Sequence, residues 1–561
     1  MTVKAAWASA RSLLPTRADI AAMGRQPRRD LLAGVTVAIV ALPLALGFGI
    51  SSGLGAGPGL VTAIVAGALA ALFGGSNLQV SGPTGAMTVV LVPIVATHGP
   101  GGVLIVGFMA GILLIGLAAA RAGRYMRYVP APVIEGFTIG IAAVIALQQV
   151  PSALGVAPAE GHNVVGIAVD AAGQFLRAPQ WAPVAIALGV AALALLGARW
   201  RPTVPFSLLA VAAATVLVEL TPVEAESIGA LPAGLPAPSL GFFDLSAVSS
   251  LATAAVAVAA LAALESLLSA TVADGMSVNQ QHDPDRELFG QGIANLITPM
   301  FGGIPATAAI ARTAVNVRSG AASRLAALTH ALVLGGVVFA AAPLVGKIPL
   351  AALAGVLLAT AVRMVEVGSV RAMLGSTRGD AAVLVLTAVA TLALDLVMAV
   401  LLGLAVTAAL ALSAVAKNAR LDRVPLEVDL SQDHREEERA LLAEHIVAYR
   451  IDGPLFFAAA HRFLLELTEV ADVSVVVLRM SRVSAIDATG ALVLKDAIER
   501  LEHRRITVLV SGIREGHSRP LEALGVITRL REEGRVFATT PEAIAYAHHR
   551  LRQDGAIPDP P

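Results

Sequence analysis

The sequence predicts a polytopic α-helical membrane protein that carries a small α/β domain at its end. Three observations predict it. The 561 residues are 56% hydrophobic and 14% charged, where a soluble domain carries about 25% charged residues. Charges are sparse before about residue 417 and dense after it. Finally, two proline-broken, glycine-rich segments recur roughly 220 residues apart: Ser81-Gly82-Pro83-Thr84-Gly85-Ala86-Met87-Thr88 and Gly302-Gly303-Ile304-Pro305-Ala306-Thr307-Ala308-Ala309-Ile310-Ala311-Arg312-Thr313. Each opens an apolar stretch that is short for a full membrane crossing.

Residues 1–30 hold Lys4, Arg11, Arg17, Arg25, Arg28 and Arg29 without an early apolar run. They read as a basic cytoplasmic leader, not a signal peptide. Apolar segments follow near 31–52, 58–74, 83–97, 102–120, 132–150, 182–198, 204–219, 249–271, 287–301, 306–317, 325–344, 348–366, 380–395 and 397–416. With the N-terminus inside, the inner loops carry Arg121 and Arg124, Arg199 and Arg201, Arg318 and Arg324, Arg363, Arg371 and Arg378, then Lys417 and Arg420. This is the basic bias required of cytoplasmic loops. The outer loop 220–248 carries Glu224, Glu226 and Asp244 and no Lys or Arg, while the mainly acidic inner loop 272–286 fits poorly.

Fourteen segments divide as seven plus seven, and an odd number per half inverts the second half relative to the first. The two breaks then fall in the third and tenth segments. The predicted fold is therefore 14 transmembrane segments as two inverted 7-helix repeats. It occupies residues 31–418, with a linker at 419–440 and the terminal α/β domain at 441–555.

Half-helices that start at mid-membrane present unpaired amides and a positive dipole end, which suits an anion. Thr84, Gly85 and Ala86 at the first break, and Ala306, Thr307, Ala308 and Ala309 at the second, are small enough for close backbone approach. Arg312 either neutralises the anion directly or sets the field from behind. Glu265 sits deep in an otherwise apolar segment, where a carboxylate is costly and by default functional. It carries a proton or coordinates a cation, and Ser269, one turn on, offers a second oxygen for a sodium site.

The absence of cysteine excludes thiolate chemistry, and the eleven histidines show no ligand spacing, so no metal site or catalytic group is expected. No basic stripe with interleaved aromatics points to nucleic acid. In the tail, 444–451, 473–480 and 506–511 read as strands and 459–470, 490–503 and 516–526 as amphipathic helices, an alternating α/β pattern.

Taken in order, several motifs resemble the SulP anion-permease family, the sulfate-permease relatives of animal solute-carrier anion exchangers. They are Asp30-Leu31-Leu32-Ala33-Gly34-Val35, the Ser81 to Gly85 break, Pro132-Val133-Ile134-Glu135-Gly136-Phe137, Arg286-Glu287-Leu288-Phe289-Gly290-Gln291-Gly292-Ile293-Ala294-Asn295, and Gly302-Gly303-Ile304-Pro305. The resemblance implies a core and a gate domain built from inverted repeats, an elevator-like movement and a homodimer. Ala41-Leu42-Pro43-Leu44-Ala45-Leu46-Gly47-Phe48 is similar to the sodium-dependent bicarbonate branch. Leu44 stands where sulfate-type members usually have glutamine, and Phe48 is expected to wall the site or simply to pack. Glu265 matches an aspartate in the bicarbonate branch, and the longer side chain departs from that pattern.

The tail resembles the family's STAS domain through Ile486-Asp487-Ala488-Thr489-Gly490. Thr489 matches a phosphorylated hydroxyl in anti-sigma antagonists, and Asp487 or Thr489 is equally a helix cap. The expected function is secondary transport of bicarbonate or sulfate across the plasma membrane, coupled to sodium or protons with no other cofactor. A membrane anion sensor, or a proton-coupled carrier of dicarboxylates or nucleobases, is the alternative.

Overall fold

The computed structural model describes residues 13–157, 164–201, 204–232, 234–277, 280–394, 396–417, 420–424, 445–455 and 473–555. The chain forms two compact units, Met1–Ala405 and Val406–Pro561.

The first unit is helical. A short helix α1 (Arg17–Met23) lies inside the predicted leader and is closed by a capping box of Thr16 and Asp19. Next come α2 (Pro27–Ser51), which begins on a proline whose missing N–H costs nothing at that position, and α3 (Ala56–Phe73). These two touch through glycines: a Cβ at Gly59 would stand 2.2 Å from the Ala45 carbonyl oxygen. Small residues let membrane helices approach until backbone packing holds them.

A two-residue strand β1 (Ser81–Gly82) precedes α4 (Gly85–Ala119). α4 joins the expected 83–97 and 102–120 segments across a kink at Gly99, whose φ of 66° favours glycine, followed at once by Pro100. Then follow α5 (Ala131–Gln148), α6 (Val150–Leu154), α7 (Val164–Arg177), α8 (Trp181–Trp200), α9 (Phe206–Leu220), α10 (Val248–Met276) and α11 (Pro284–Ile297). The second short strand β2 (Thr307–Ala308) leads into α12 (Ile310–Arg318). The helical run ends with α13 (Leu325–Val345), α14 (Leu350–Met364), α15 (Val367–Ser376), α16 (Arg378–Ala393) and α17 (Leu396–Lys417). Each of the fourteen apolar segments overlaps one of these helices, and α1, α6, α7 and α15 are additional.

Among the described residues, eight helical stretches are long and apolar enough to cross a membrane. Helices α2, α3, α4, α10, α11, α12 and α13 pack as one group, and α5, α8, α9, α14, α15 and α16 as another. The groups meet chiefly where α2 touches α9 and α14 and where α4 touches α5.

The second unit is an α/β fold. Its sheet runs β3 (Arg420–Val424), β4 (Ile446–Leu455), β5 (Val475–Arg479), β7 (Thr507–Ser511), β8 (Val536–Phe537), with β6 (Val483–Ile486) beside β4. β3 runs antiparallel to β4, and the other pairs are parallel. Period-two alternation sends Val476, Leu478, Val508 and Val510 to one face against α18 (Ala488–His503), α19 (Glu515–Ala523) and α20 (Thr528–Glu532). Val475, Val477 and Leu509 face the other way against α21 (Thr540–Gln553). β3 lies within the segment expected to be a linker, so the sheet starts before residue 441. The helix expected at 459–470 lies outside the described residues.

Candidate anion site at two crossed helix starts

The two sequence breaks meet. β1 and β2 pair antiparallel, Ser81 opposite Ala308 and Gly82 opposite Thr307, so α4 and α12 start from adjacent strands. An extended strand before a helix leaves the first-turn amides without intrahelical acceptors. In α4 the first intrahelical bond runs from the Thr88 amide to the Thr84 carbonyl, leaving Gly85 and Ala86 amides at the open end. In α12 it runs from Thr313 to Ala309, leaving Ile310, Ala311 and Arg312 amides in the first turn.

That distribution shifts the donors by a few residues from the expected set. The Ala306 amide donates to Asn295 Oδ1 at 2.8 Å, the Ala308 amide to Ser266 Oγ at 3.3 Å, and the Ala309 amide to the Val80 carbonyl at 3.0 Å. Thr307 turns its hydroxyl to α10, 2.8 Å from Ser266 Oγ. Ala306, Thr307, Ala308 and Ala309 therefore frame the second break, and the amides of Ala306, Ala308 and Ala309 are taken by the protein.

At the first break Thr84 is the N-cap of α4, its oxygen accepting the Met87 amide at 3.4 Å while its hydroxyl donates to Glu265 Oε2 at 2.9 Å. Gly85 is walled closely: a Cβ there would meet Ile145 Cδ1 at 2.1 Å and Phe48 Cε1 at 3.1 Å. Phe48 thus lies beside the open end of α4. Glu265 and Ser269 part company. Ser269 is buried and donates to Thr313 Oγ1 at 3.0 Å, tying α10 to α12, whereas Glu265 faces Thr84.

Arg312 is almost completely buried at 1% exposure. Its Nη2 donates to the Pro83 carbonyl, and a Cβ on Gly82 would stand 2.6 Å from Nη1. The guanidinium therefore crosses from the second break to lie behind the first. It forms no ion pair with Glu265 among the described residues.

The positioning machinery is α11, which sequence reasoning used only as a family signature. Glu287, Gln291 and Asn295 stand four residues apart and so share one face. Glu287 accepts the Gly75 and Ser76 amides at 2.9 and 3.2 Å, ahead of the first break. Gln291 donates to Ser81 Oγ at 2.7 Å, and Asn295 brackets Ala306 by donating to its carbonyl at 2.8 Å. Thr62 completes the second break by accepting the Ile304 amide at 2.7 Å.

Further back, Arg324 donates to the Ala71, Leu72 and Gly74 carbonyls and closes the end of α3. Asp30 accepts the Ala322 and Ser323 amides at 2.7 and 3.0 Å. Asp19 of α1 joins this layer by accepting from Arg286 at 2.8 Å, with Arg324 3.7 Å away. Burial pushes the Asp19 carboxyl up, but Arg286, the Thr16 bonds and the Arg324 charge outweigh it and hold it at about 2.

In the second unit, Asp487 caps α18 by accepting the Gly490 amide at 2.7 Å. Thr489 sits in the first turn with an exposed side chain.

Two helix starts joined by paired strands, with a carboxylate beside one of them, form a candidate anion site in a helical bundle with membrane-length apolar helices. The comparisons give the family. Residues 28–387 match the sulfate permease family and residues 440–543 match the STAS domain. The chain is 34% identical to a putative sulfate transporter YvdB of Bacillus subtilis, covering 90% of this chain and 95% of the relative. It is 30% identical to the bicarbonate transporter BicA of Picosynechococcus, covering 90% and 92%. The solved transmembrane domain of a cyanobacterial BicA matches 67% of this chain and 98% of its own, at 32% identity and a TM-score of 0.62. The chain belongs to the sulfate permease family, as a multi-pass membrane protein with a STAS domain.

Proposed function

We propose that this protein is a secondary transporter of small inorganic oxyanions in the plasma membrane, with bicarbonate ahead of sulfate. One observation carries the reading: two half-helix N-termini meet at paired strands, and the Glu265 carboxylate is docked on the cap of one of them. The Gly85 and Ala86 amides and the Ile310 and Ala311 amides surround the oxyanion, and the Thr84 hydroxyl, which donates to Glu265, links that site to the carboxylate. Arg312 supplies positive potential from behind through Pro83. Its guanidinium stays bound to the protein, so the anion leaves without breaking an ion pair.

Glu265 is the coupling group. Binding sodium, or losing and gaining a proton, changes the charge one hydrogen bond away from Thr84. The fourteen apolar segments act as two inverted halves, and the α2–α4 and α10–α13 group moves as an elevator against the α5, α8, α9 and α14–α16 group. The basic loops put the N-terminus and STAS domain in the cytoplasm. A homodimer is the working assembly. Bicarbonate is favoured because Leu44, an apolar residue that offers an anion no hydrogen bond, lies buried in the same helix as Phe48.

The test is uptake of labelled bicarbonate and sulfate into proteoliposomes at fixed pH, with and without an inward sodium gradient. Sodium-stimulated bicarbonate uptake supports the full reading, and sodium-indifferent uptake points to protons or exchange. Uptake of neither anion, with or without the STAS domain, overturns transport in favour of a membrane sensor, with exposed Thr489 as its phosphorylation switch.

A further inference from the structure

A buried amide group faces the first turn of α4 from the opposite helix group. Ile145 and Gln148 are three residues apart on α5 and therefore share a face. Ile145 presses on Gly85, and Gln148 reaches Thr88, one turn further along α4, with Oε1 3.5 Å from its hydroxyl. That contact is at the limit of a hydrogen bond, and the Thr88 hydroxyl already donates to the Gly85 carbonyl at 2.7 Å. The Gln148 Nε2 is buried and has no protein partner at all. Next to it, Gln149 donates to Ser51 Oγ at 3.0 Å, fixing the end of α5 against the end of α2.

Leaving a buried amide donor unpaired costs on the order of 1–3 kcal/mol, and such a group calls for an explanation. An oxyanion seated at the open end of α4 supplies the missing acceptor. We infer that Gln148 is a substrate-binding and specificity residue: its amide donates to the transported oxyanion from the α5 side, opposite the helix amides.

The inference rests on the proposed transport function and adds a donor from the second helix group. Because Gln148 belongs to the α5 group, an anion held by it bridges both groups of helices, and bound substrate then favours the arrangement in which they touch. A planar, singly charged bicarbonate offers both an acceptor and an O–H, and a carboxamide matches both. Sulfate offers acceptors only.

The experiment compares wild type with Gln148→Leu, Gln148→Asn and Gln148→Glu, reading the KM of proteoliposome uptake for bicarbonate and for sulfate, and the melting temperature in detergent. Gln148→Leu should raise the bicarbonate KM about threefold to tenfold, the worth of one net hydrogen bond, and change the sulfate value less. Its melting temperature should stay level or rise, because the variant removes an unpaired buried donor. Gln148→Asn should fall between, and Gln148→Glu should lose most uptake.

A KM within twofold of wild type for Gln148→Leu overturns the inference. So does a KM rise matched by a lower melting temperature, since that is the mark of a packing residue. If Gln148→Leu fails to fold, the Gln148→Asn value decides by the same criterion. A wild type that takes up neither oxyanion removes the transport reading itself, and this inference with it.

Discussion

The first and second breaks use one backbone device and dress it differently. Both are short strands running into a helix, and they pair with each other. The first carries a hydroxyl cap, a carboxylate on that hydroxyl, and a tight apolar wall of Ile145 and Phe48. The second has no side-chain cap on α12, and its one cation leaves home to lie behind the first. Their supports differ as well. Glu287, Gln291 and Arg324 hold the first, while Asn295 and Thr62, both neutral, bracket the second. The lesson is a division of labour. In the transport function proposed above, the second break lends charge and the first reads the coupling ion.

The largest test removes the loan. Arg312→Ala deletes a buried guanidinium that holds the Pro83 carbonyl, a charge-assisted bond typically worth about 1.5–3 kcal/mol. Anion affinity should fall about tenfold to a hundredfold, measured as the KM of uptake. Arg312→Lys keeps the charge and should recover part of it. Equal affinity in the alanine variant and the parent would make the arginine purely structural and the two breaks electrostatically independent.

Glu265→Gln asks whether coupling resides at the first break alone. Glutamine still accepts the Thr84 hydroxyl, so the fold and expression should stand. The dependence of uptake on the ion gradient should drop roughly fivefold or more, the scale of a typical coupling free energy. An unchanged gradient dependence would move coupling elsewhere, for example to the Ser269–Thr313 contact.

Asn295→Ala and Gln291→Ala sharpen the contrast between the supports. Asn295 makes two bonds to Ala306, one to its amide and one from its own Nδ2 to the carbonyl, both at 2.8 Å. Its loss strands two buried backbone groups and should cost about 1–3 kcal/mol in melting experiments. Gln291 makes one bond to Ser81 and one to Glu287, and its alanine variant should disturb the first break instead. If both variants shift ion dependence equally, the breaks act as one unit and the division of labour fails.

Much of this arrangement was legible in the sequence, for physical reasons. Apolar length marks helices, proline and glycine mark the breaks, and an acid in an apolar run marks Glu265. Span counting gave the two breaks, roughly 220 residues apart, matching positions in two halves, and the contact between them is seen only in the β1–β2 pairing. Three features were harder to read. α7 and α15 are short helices that no long apolar run announces. The Glu287, Gln291 and Asn295 spine carried a readable signal, polar residues every fourth position in a segment taken as a span, but their partners are distant loops that only folding brings near. Likewise, which amides are free depends on Asn295, Ser266 and Val80, so Ala306, Ala308 and Ala309 looked like donors when their N–H groups were already taken.

The smallest expected effect lies at the back of the first break and is the one that acid should reveal. Thr16 and Asp19 spell a capping box inside a segment dominated by arginine, so the leader was read as charge alone. Asp19 instead clasps Arg286, at the start of the α11 spine, and lies near Arg324, which closes α3. Its carboxyl is held at about 2 against an ordinary 3.8. A carboxylate depressed in the folded state stabilises fully above its unfolded pKa and loses that contribution as pH falls through the folded value. Asp19→Asn should therefore lower stability by about 1–2 kcal/mol at neutral pH, and the gap to wild type should close between about pH 4 and pH 2. The second break has no such acid among its described supports, so the Asn295→Ala deficit should stay flat over the same range. Parallel pH curves for the two variants would show that the supports of the two breaks do not differ in kind, and a gap that widens in acid would reverse the sign assigned to Asp19.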